Sequence, residues 1–175
     1  MAKCVKASSI AAPKGKVITI KADVLGKNAS VKSNSGGYTI NLNGKKFVGT
    51  GKVDTLTVAA NNANVDAGAG NDVVTVSGLK VTLNGEAGND SLRSEAGADT
   101  LSGGKGDDVI YGFENNDLLQ ITGVFSASYN SSKKEIAFKV GNTANAITLT
   151  DFGKTTTFHV NNDTYQISGT KLIKK

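Results

Sequence analysis

The chain has no tryptophan and only one each of cysteine, proline, methionine and histidine among its 175 residues. A lone Cys4 excludes an internal disulfide, and one histidine with one cysteine is too few for a zinc centre. Nucleophilic catalysis by serine or cysteine needs an adjacent base oriented by an acid. The sole histidine, His159, lies in the alternating run Thr157-Phe158-His159-Val160, where a structural or surface place is the simpler reading. No apolar run approaches the length of a membrane span. Met1 to Lys16 lacks the apolar centre of a cleavable export signal. Helical periodicity over ten or more residues is also missing.

What is present is glycine, 21 residues of it, between short alternating strands such as Val17-Ile18-Thr19-Ile20, Tyr38 to Leu42, Glu135 to Val140 and Ala146 to Leu149. These point to an all-β class. A nine-residue ruler runs through the middle. Asp90, Asp99, Asp108 and Asp117 fall on it in succession, with Asp72 and Asp54 at double spacing before them. Two places after each beat stands an apolar residue: Leu56, Val65, Val74, Leu83, Leu92, Leu101, Ile110 and Leu119. The apolar beat extends back through Phe47, Tyr38, a small Ala29 and Ile20. It therefore specifies a core over more turns than the aspartates cover.

Each nonapeptide makes a tight turn and then a short strand, so two nonapeptides complete one coil. Glycines in the turns permit positive φ and close backbone approach. Coils stack at the strand spacing of about 4.8 Å, and no coil buries its apolar residues alone. The best copies are Gly103-Gly104-Lys105-Gly106-Asp107-Asp108-Val109-Ile110-Tyr111, Gly85 to Leu92 and Ala67 to Val74, with Ser94 to Leu101 weaker. The first matches G-G-x-G-x-D-x-U-x. Residues 67–119 resemble the repeat-in-toxin (RTX, haemolysin-type) calcium-binding repeats of secreted bacterial proteins. The resemblance implies a right-handed parallel β-roll. Its expected parts, forming one continuous domain, are a metal-free N-terminal β-cap and the start of the roll in 1–48, the calcium-binding roll in 49–119 and a C-terminal antiparallel β-hairpin cap in 120–175.

Calcium takes six or more oxygens, carboxylate and carbonyl together. In such a roll, equivalent turns lie two nonapeptides apart and one ion sits between two of them. One edge carries Asp54, Asp72, Asp90 and Asp108; the other carries Ala63, Val81, Asp99 and Asp117. Three sites follow: Asp72 with Asp90, Asp90 with Asp108, and Asp99 with Asp117. Asp54 with Asp72 is a doubtful fourth, because Lys52 occupies that loop. The remaining ligands would be carbonyls of Ala67, Ala69, Gly85, Ala87, Gly103 and Lys105. The turns at Val81 and Ala63 should be metal-free. Any one Gly/Asn/Asp loop also reads as a plain turn. The fixed place of Asp relative to glycine and to the apolar beat argues for a cation, since turn formation alone would let Asn, Ser and Asp exchange.

Charge is segregated: residues 49–119 carry a net −7, residues 1–48 +8 and residues 120–175 +4. An acidic middle suits a divalent-cation scaffold whose folding couples to binding. Basic flanks would suit an acidic glycan or cell surface, or simply serve solubility. Nucleic acid is disfavoured, because no aromatic–basic interleaving accompanies the charge. Phe113 is expected to plug the end of the roll. A hairpin should follow from Phe125 through Asn130-Ser131-Ser132-Lys133 to Val140, with further strands near 147–151, 156–160 and 164–168. Relatives with self-cleaving modules cut at Asp-Pro, but Pro13 follows Ala12. The reading is non-enzymatic: a secreted calcium module for adhesion, structure or folding after export in a larger extracellular protein, leaving by the type I route with its uncleaved C-terminal signal. The terminal Leu172-Ile173-Lys174-Lys175 departs from the usual form of that signal. An accessory polysaccharide-binding domain beside an absent catalytic domain is the alternative.

Overall fold

The computed structural model describes residues 4–6, 9–11, 17–19, 30–34, 37–43, 46–49, 51, 53–142 and 145–175. The N-terminal strands are β1 (Cys4–Lys6), β2 (Ser9–Ala11), β3 (Val17–Thr19), β4 (Ser30–Asn34), β5 (Gly37–Asn43) and β6 (Lys46–Val48). The middle holds β7 (Thr55–Asn61), β8 (Asn64–Ala69), β9 (Val73–Ser77) and β10 (Thr82–Ala87). It continues with β11 (Ser91–Ser94), β12 (Thr100–Ser102), β13 (Asp107–Tyr111) and β14 (Leu118–Leu119). Then come β15 (Phe125–Asn130), β16 (Glu135–Val140), β17 (Asn145–Thr150), β18 (Thr157–Val160), β19 (Asp163–Ser168) and β20 (Lys171–Lys174). No helix of the described residues is long and apolar enough to cross a membrane.

Successive strands of the middle alternate between two sheets. One runs β1-β6-β8-β10-β12-β14-β18-β19-β20, the other β15-β16-β17-β13-β11-β9-β7-β5-β4, with β2-β3 a separate antiparallel pair. Inside the roll every pairing is parallel and offset by one coil: Phe47 with Val65, Leu83 with Leu101, Leu56 with Val74, and Leu92 with Ile110. The fold is thus a parallel β-roll in which each coil takes two nonapeptides. Tyr38 pairs with Leu56 in the same register, so the ruler holds back to β5. The expected beats at Ala29 and Ile20 lie outside the described residues.

The reason is the alternation of the strands. Leu56, Val65, Val74, Leu83, Leu92, Leu101, Ile110 and Leu119 are all buried between the sheets, each contributing about 1.5–3 kcal/mol by burial. Their neighbours face outward, as in β9 and β13, where exposed or half-buried residues alternate with buried ones. A slip by one residue would turn the whole column into solvent.

The expected hairpin is present, Phe125 pairing with Val140 and Asn130 with Glu135. It is the first part of a larger cap. Strands β15-β16-β17 extend one sheet and β18-β19-β20 the other, each joined to the roll by a parallel pairing, Ile110 with Leu149 and Leu119 with Val160. Aromatic side chains fill the end. Phe158 packs on Phe113 (centroids 6.3 Å) and edge-on to Phe152 (5.2 Å), while Phe138 meets Phe125 (5.7 Å) and Tyr165 (6.2 Å). Outside, Arg93 binds Asp151 at 3.0 Å and lies over the Tyr111 ring at 5.3 Å, tying a coil to the cap.

Leu101, fully buried within the column, gives a direct check. Leu101→Ala should cost about 2–5 kcal/mol in urea unfolding of the calcium-saturated protein. A cost below about 1 kcal/mol would mean that the column is not the core.

Candidate metal centre

Each turn that crosses from the first sheet to the second ends in an aspartate: Asp54, Asp72, Asp90 and Asp108. All four are buried. A carboxylate enters the interior here because one of its oxygens is bonded to the preceding coil. The Asp54 amide donates to Asp72 Oδ1 at 2.7 Å, the Asp72 amide to Asp90 Oδ1 at 2.8 Å, and the Asp90 amide to Asp108 Oδ1 at 3.0 Å. The other oxygen, Oδ2 of Asp72, Asp90 and Asp108, is buried and has no hydrogen-bond partner. Buried polar atoms are ordinarily satisfied, so a repeated column of open oxygens marks a place built for something positive.

The main chain is shaped to the same end. A Cβ on Gly85 would fall on Asp90 Oδ2 and on the carbonyl of Gly103, one coil further on; a Cβ on Gly103 would fall on Asp108 Oδ2. Carboxylate and carbonyl oxygens from adjacent coils therefore converge where only glycine leaves room. The Ala67 carbonyl approaches Gly49 in the same way, with Asp54 Oδ2 at 3.0 Å from the would-be Cβ. The carbonyls of Ala87 and Lys105 accept amide bonds from Gly70 (2.8 Å) and Gly88 (2.9 Å). Ala69 ends β8 and pairs with Ala87. Among the described residues no three Asp, Glu, His or Cys side chains form a metal-holding group, so a cation on this edge would draw much of its shell from carbonyls. That mixture suits calcium.

The opposite edge differs by position. Where the first edge has Gly85 with Asp90, it has Val76 with Val81, and Val58 with Ala63 one coil earlier, all buried. Hydrocarbon fills both places. Asp99, after Ser94, is buried with Oδ1 accepting from the Val81 amide (2.8 Å) and Oδ2 unpartnered. Asp117 is buried, and its Oδ1 accepts from the Asp99 amide at 2.9 Å. Its Oδ2, however, takes the Glu114 amide at 2.8 Å and lies 3.4 Å from Ser94 Oγ.

One set of residues went unnoticed in the sequence. Asn71 Oδ1 accepts from the Asn89 amide and Asn89 Oδ1 from the Asp107 amide, both at 2.9 Å; on the other side Asn61 Oδ1 accepts from the Leu79 amide at 2.8 Å. These bonds run in the opposite direction along the roll to the aspartate ladder. The signal was the spacing of Asn71 and Asn89 by one full coil, directly before the aspartates. His159 is exposed, its Nδ1 3.4 Å from Thr164 Oγ1.

With this geometry in hand, comparison with protein-family models is specific. Residues 82–110 and 95–120 each match the RTX calcium-binding nonapeptide repeat, a model of four copies. The stretch 82–120 consists of RTX repeats, whose family binds calcium, and the aspartate ladder continues the same register upstream to Asp72 and Asp54. A search of curated proteins returned no match.

Electrostatics follow from burial. Loss of hydration pushes Asp72, Asp90, Asp99 and Asp108 up to about 6 from an ordinary 3.8, against the lowering effect of the bonded amides and with further raising by neighbouring carboxylates. Asp117 is also raised, chiefly by burial. A carboxylate whose folded pKa exceeds its unfolded one favours the fold fully at low pH and loses that contribution as pH rises from about 3.8 to about 6. A bound cation inverts this, because it requires the charged form. In calcium-depleted buffer the melting temperature should fall between about pH 4 and pH 7, and in saturating calcium it should rise over the same range. Parallel profiles in the two buffers would refute the assignment.

Proposed function

We propose that this chain is a calcium-dependent structural module, with Asp72 and Asp90 holding one ion and Asp90 and Asp108 a second, assisted by carbonyls of Ala67, Gly85 and Gly103. The observation that carries the reading is the column of buried, unpartnered Oδ2 atoms of Asp72, Asp90 and Asp108. Those of Asp90 and Asp108 stand where a Cβ on Gly85 or Gly103 would fall, and a Cβ on Gly85 would meet the Gly103 carbonyl of the next coil as well. Calcium would supply the positive charge that this edge lacks. The chain's own residues supply the frame: the Oδ1 bonds fix each carboxylate, and the glycines clear the space.

The module would be poorly folded where calcium is scarce and would complete its roll where calcium is abundant. That property suits a segment of a larger extracellular bacterial protein that folds after export, spaces or caps a surface structure, or supports adhesion. No catalytic role is assigned to it. A polysaccharide-binding role is the second reading. It is favoured by the polar groove along the first sheet, where Asn84, Ser102, Gln120 and Thr122 lie together with Asn64 and Thr82; a glycan array on the calcium-loaded protein separates the two.

Circular dichroism with calcium titration tests the main reading. Adding EGTA to the calcium-loaded protein should diminish the β signal and lower the melting temperature, and Asp90→Asn should weaken calcium binding about tenfold or more. A spectrum and melting temperature indifferent to EGTA would overturn it.

A further inference from the structure

The last turn of the second edge is built differently from the calcium-type turns. In the nonapeptides ending their turns at Asp90 and Asp108, the first residue to take a left-handed φ is the second of the repeat, Glu86 (φ 73°) and Gly104 (φ 100°). In the turn ending at Asp117 it is the opening residue, Gly112 (φ 71°). The reversal comes one residue early, at a residue whose missing Cβ permits it. Phe113, which stands where the other turns have Glu86 or Gly104, is fully buried against Phe158. The chain then closes on Asp117. The Asp117 amide donates to the Glu114 carbonyl at 3.1 Å, the Glu114 amide donates back to Oδ2, Ser94 Oγ stands beside the same oxygen, and the Asp99 amide holds Oδ1.

On the first edge the corresponding oxygens of Asp72, Asp90 and Asp108 are open. At Asp117 both are taken from within the protein. We infer that Asp117 is a metal-independent clasp rather than a calcium ligand. It joins the coil of Asp99, Ser94 and the turn that delivers Phe113 into the cap. The expected pairing of Asp99 with Asp117 around an ion is thereby replaced: the second edge carries hydrocarbon at Val58, Ala63, Val76 and Val81 and the clasp at its end, and Asp99 Oδ2 between them is a single open oxygen with no second open carboxylate to share an ion. Calcium would then run along one edge of the roll, and the C-terminal cap would be fixed to the roll without it. The inference rests on the reading of Asp72, Asp90 and Asp108 as calcium ligands.

The test follows the melting temperature of the full chain against the logarithm of calcium concentration, whose slope reports how many ions the folded state takes up. Asp117→Asn keeps one acceptor oxygen but places an amide group where Oδ2 receives the Glu114 amide. It should lower the whole line by about 2–8 °C and leave its slope, and the calcium affinity from calorimetry within about threefold, unchanged. Ser94→Ala, a milder change, should shift the line in the same direction with the same slope. Asp90→Asn should reduce the slope. The clasp is overturned if Asp117→Asn reduces the slope or weakens calcium binding about tenfold, or if it leaves the line in place. Should Asp90→Asn leave slope and affinity untouched, the calcium reading of the ladder fails instead, and the height of the Asp117→Asn line alone decides the clasp.

Discussion

The structure depends on how a carboxylate can be held between two sheets. Burying an ionised group without compensation is among the most costly events in a protein. Here Asp72, Asp90 and Asp108 are each half compensated: one oxygen takes the amide of the preceding coil and the other faces inward with no partner. The raised carboxyl pKa values express the same deficit. A divalent cation between successive aspartates, as proposed, would remove the deficit.

Other features follow from that constraint. Gly85 and Gly103 stand five places before Asp90 and Asp108, where a Cβ would fall on the carboxylate, and the small Ala67 holds the same place before Asp72. Where no carboxylate is present the space has to be filled, and Val76 with Val81 fills it. The asparagine bonds from Asn71 and Asn89 supply coil-to-coil attachment that does not rely on metal. The roll therefore has one edge lined with open carboxylate oxygens, one edge packed largely with hydrocarbon, and an aromatic cap at the C-terminal end.

Much of this was legible in the sequence, because the repeat converts one-dimensional spacing directly into stacking. The beat from Leu56 to Leu119 is the buried column. The double-spaced aspartates share an edge because every parallel pairing in the roll is offset by two nonapeptides, as Thr82 with Thr100 shows. What could not be read were features that break the period. The satisfied state of Asp117 depends on a backbone reversal at Gly112 and on Ser94 from the coil before, neither of which alters the spacing. The join of β17 to β13 likewise skips over the whole β15–β16 hairpin to pair Asp107 with Ala146, and no repeat announces it. The asparagine ladder obeyed the period but was concealed by the ordinary use of asparagine in turns.

Whether the protein serves adhesion, spacing or folding after export, the physical event would be the same: calcium binding along one edge as the roll completes its fold. The most direct measurement is anomalous scattering from crystals grown with calcium. The account predicts peaks between Asp72 and Asp90 and between Asp90 and Asp108, beside Gly85 and Gly103. Peaks in the turns of Val76 and Val81, or an aspartate edge without density, would contradict it.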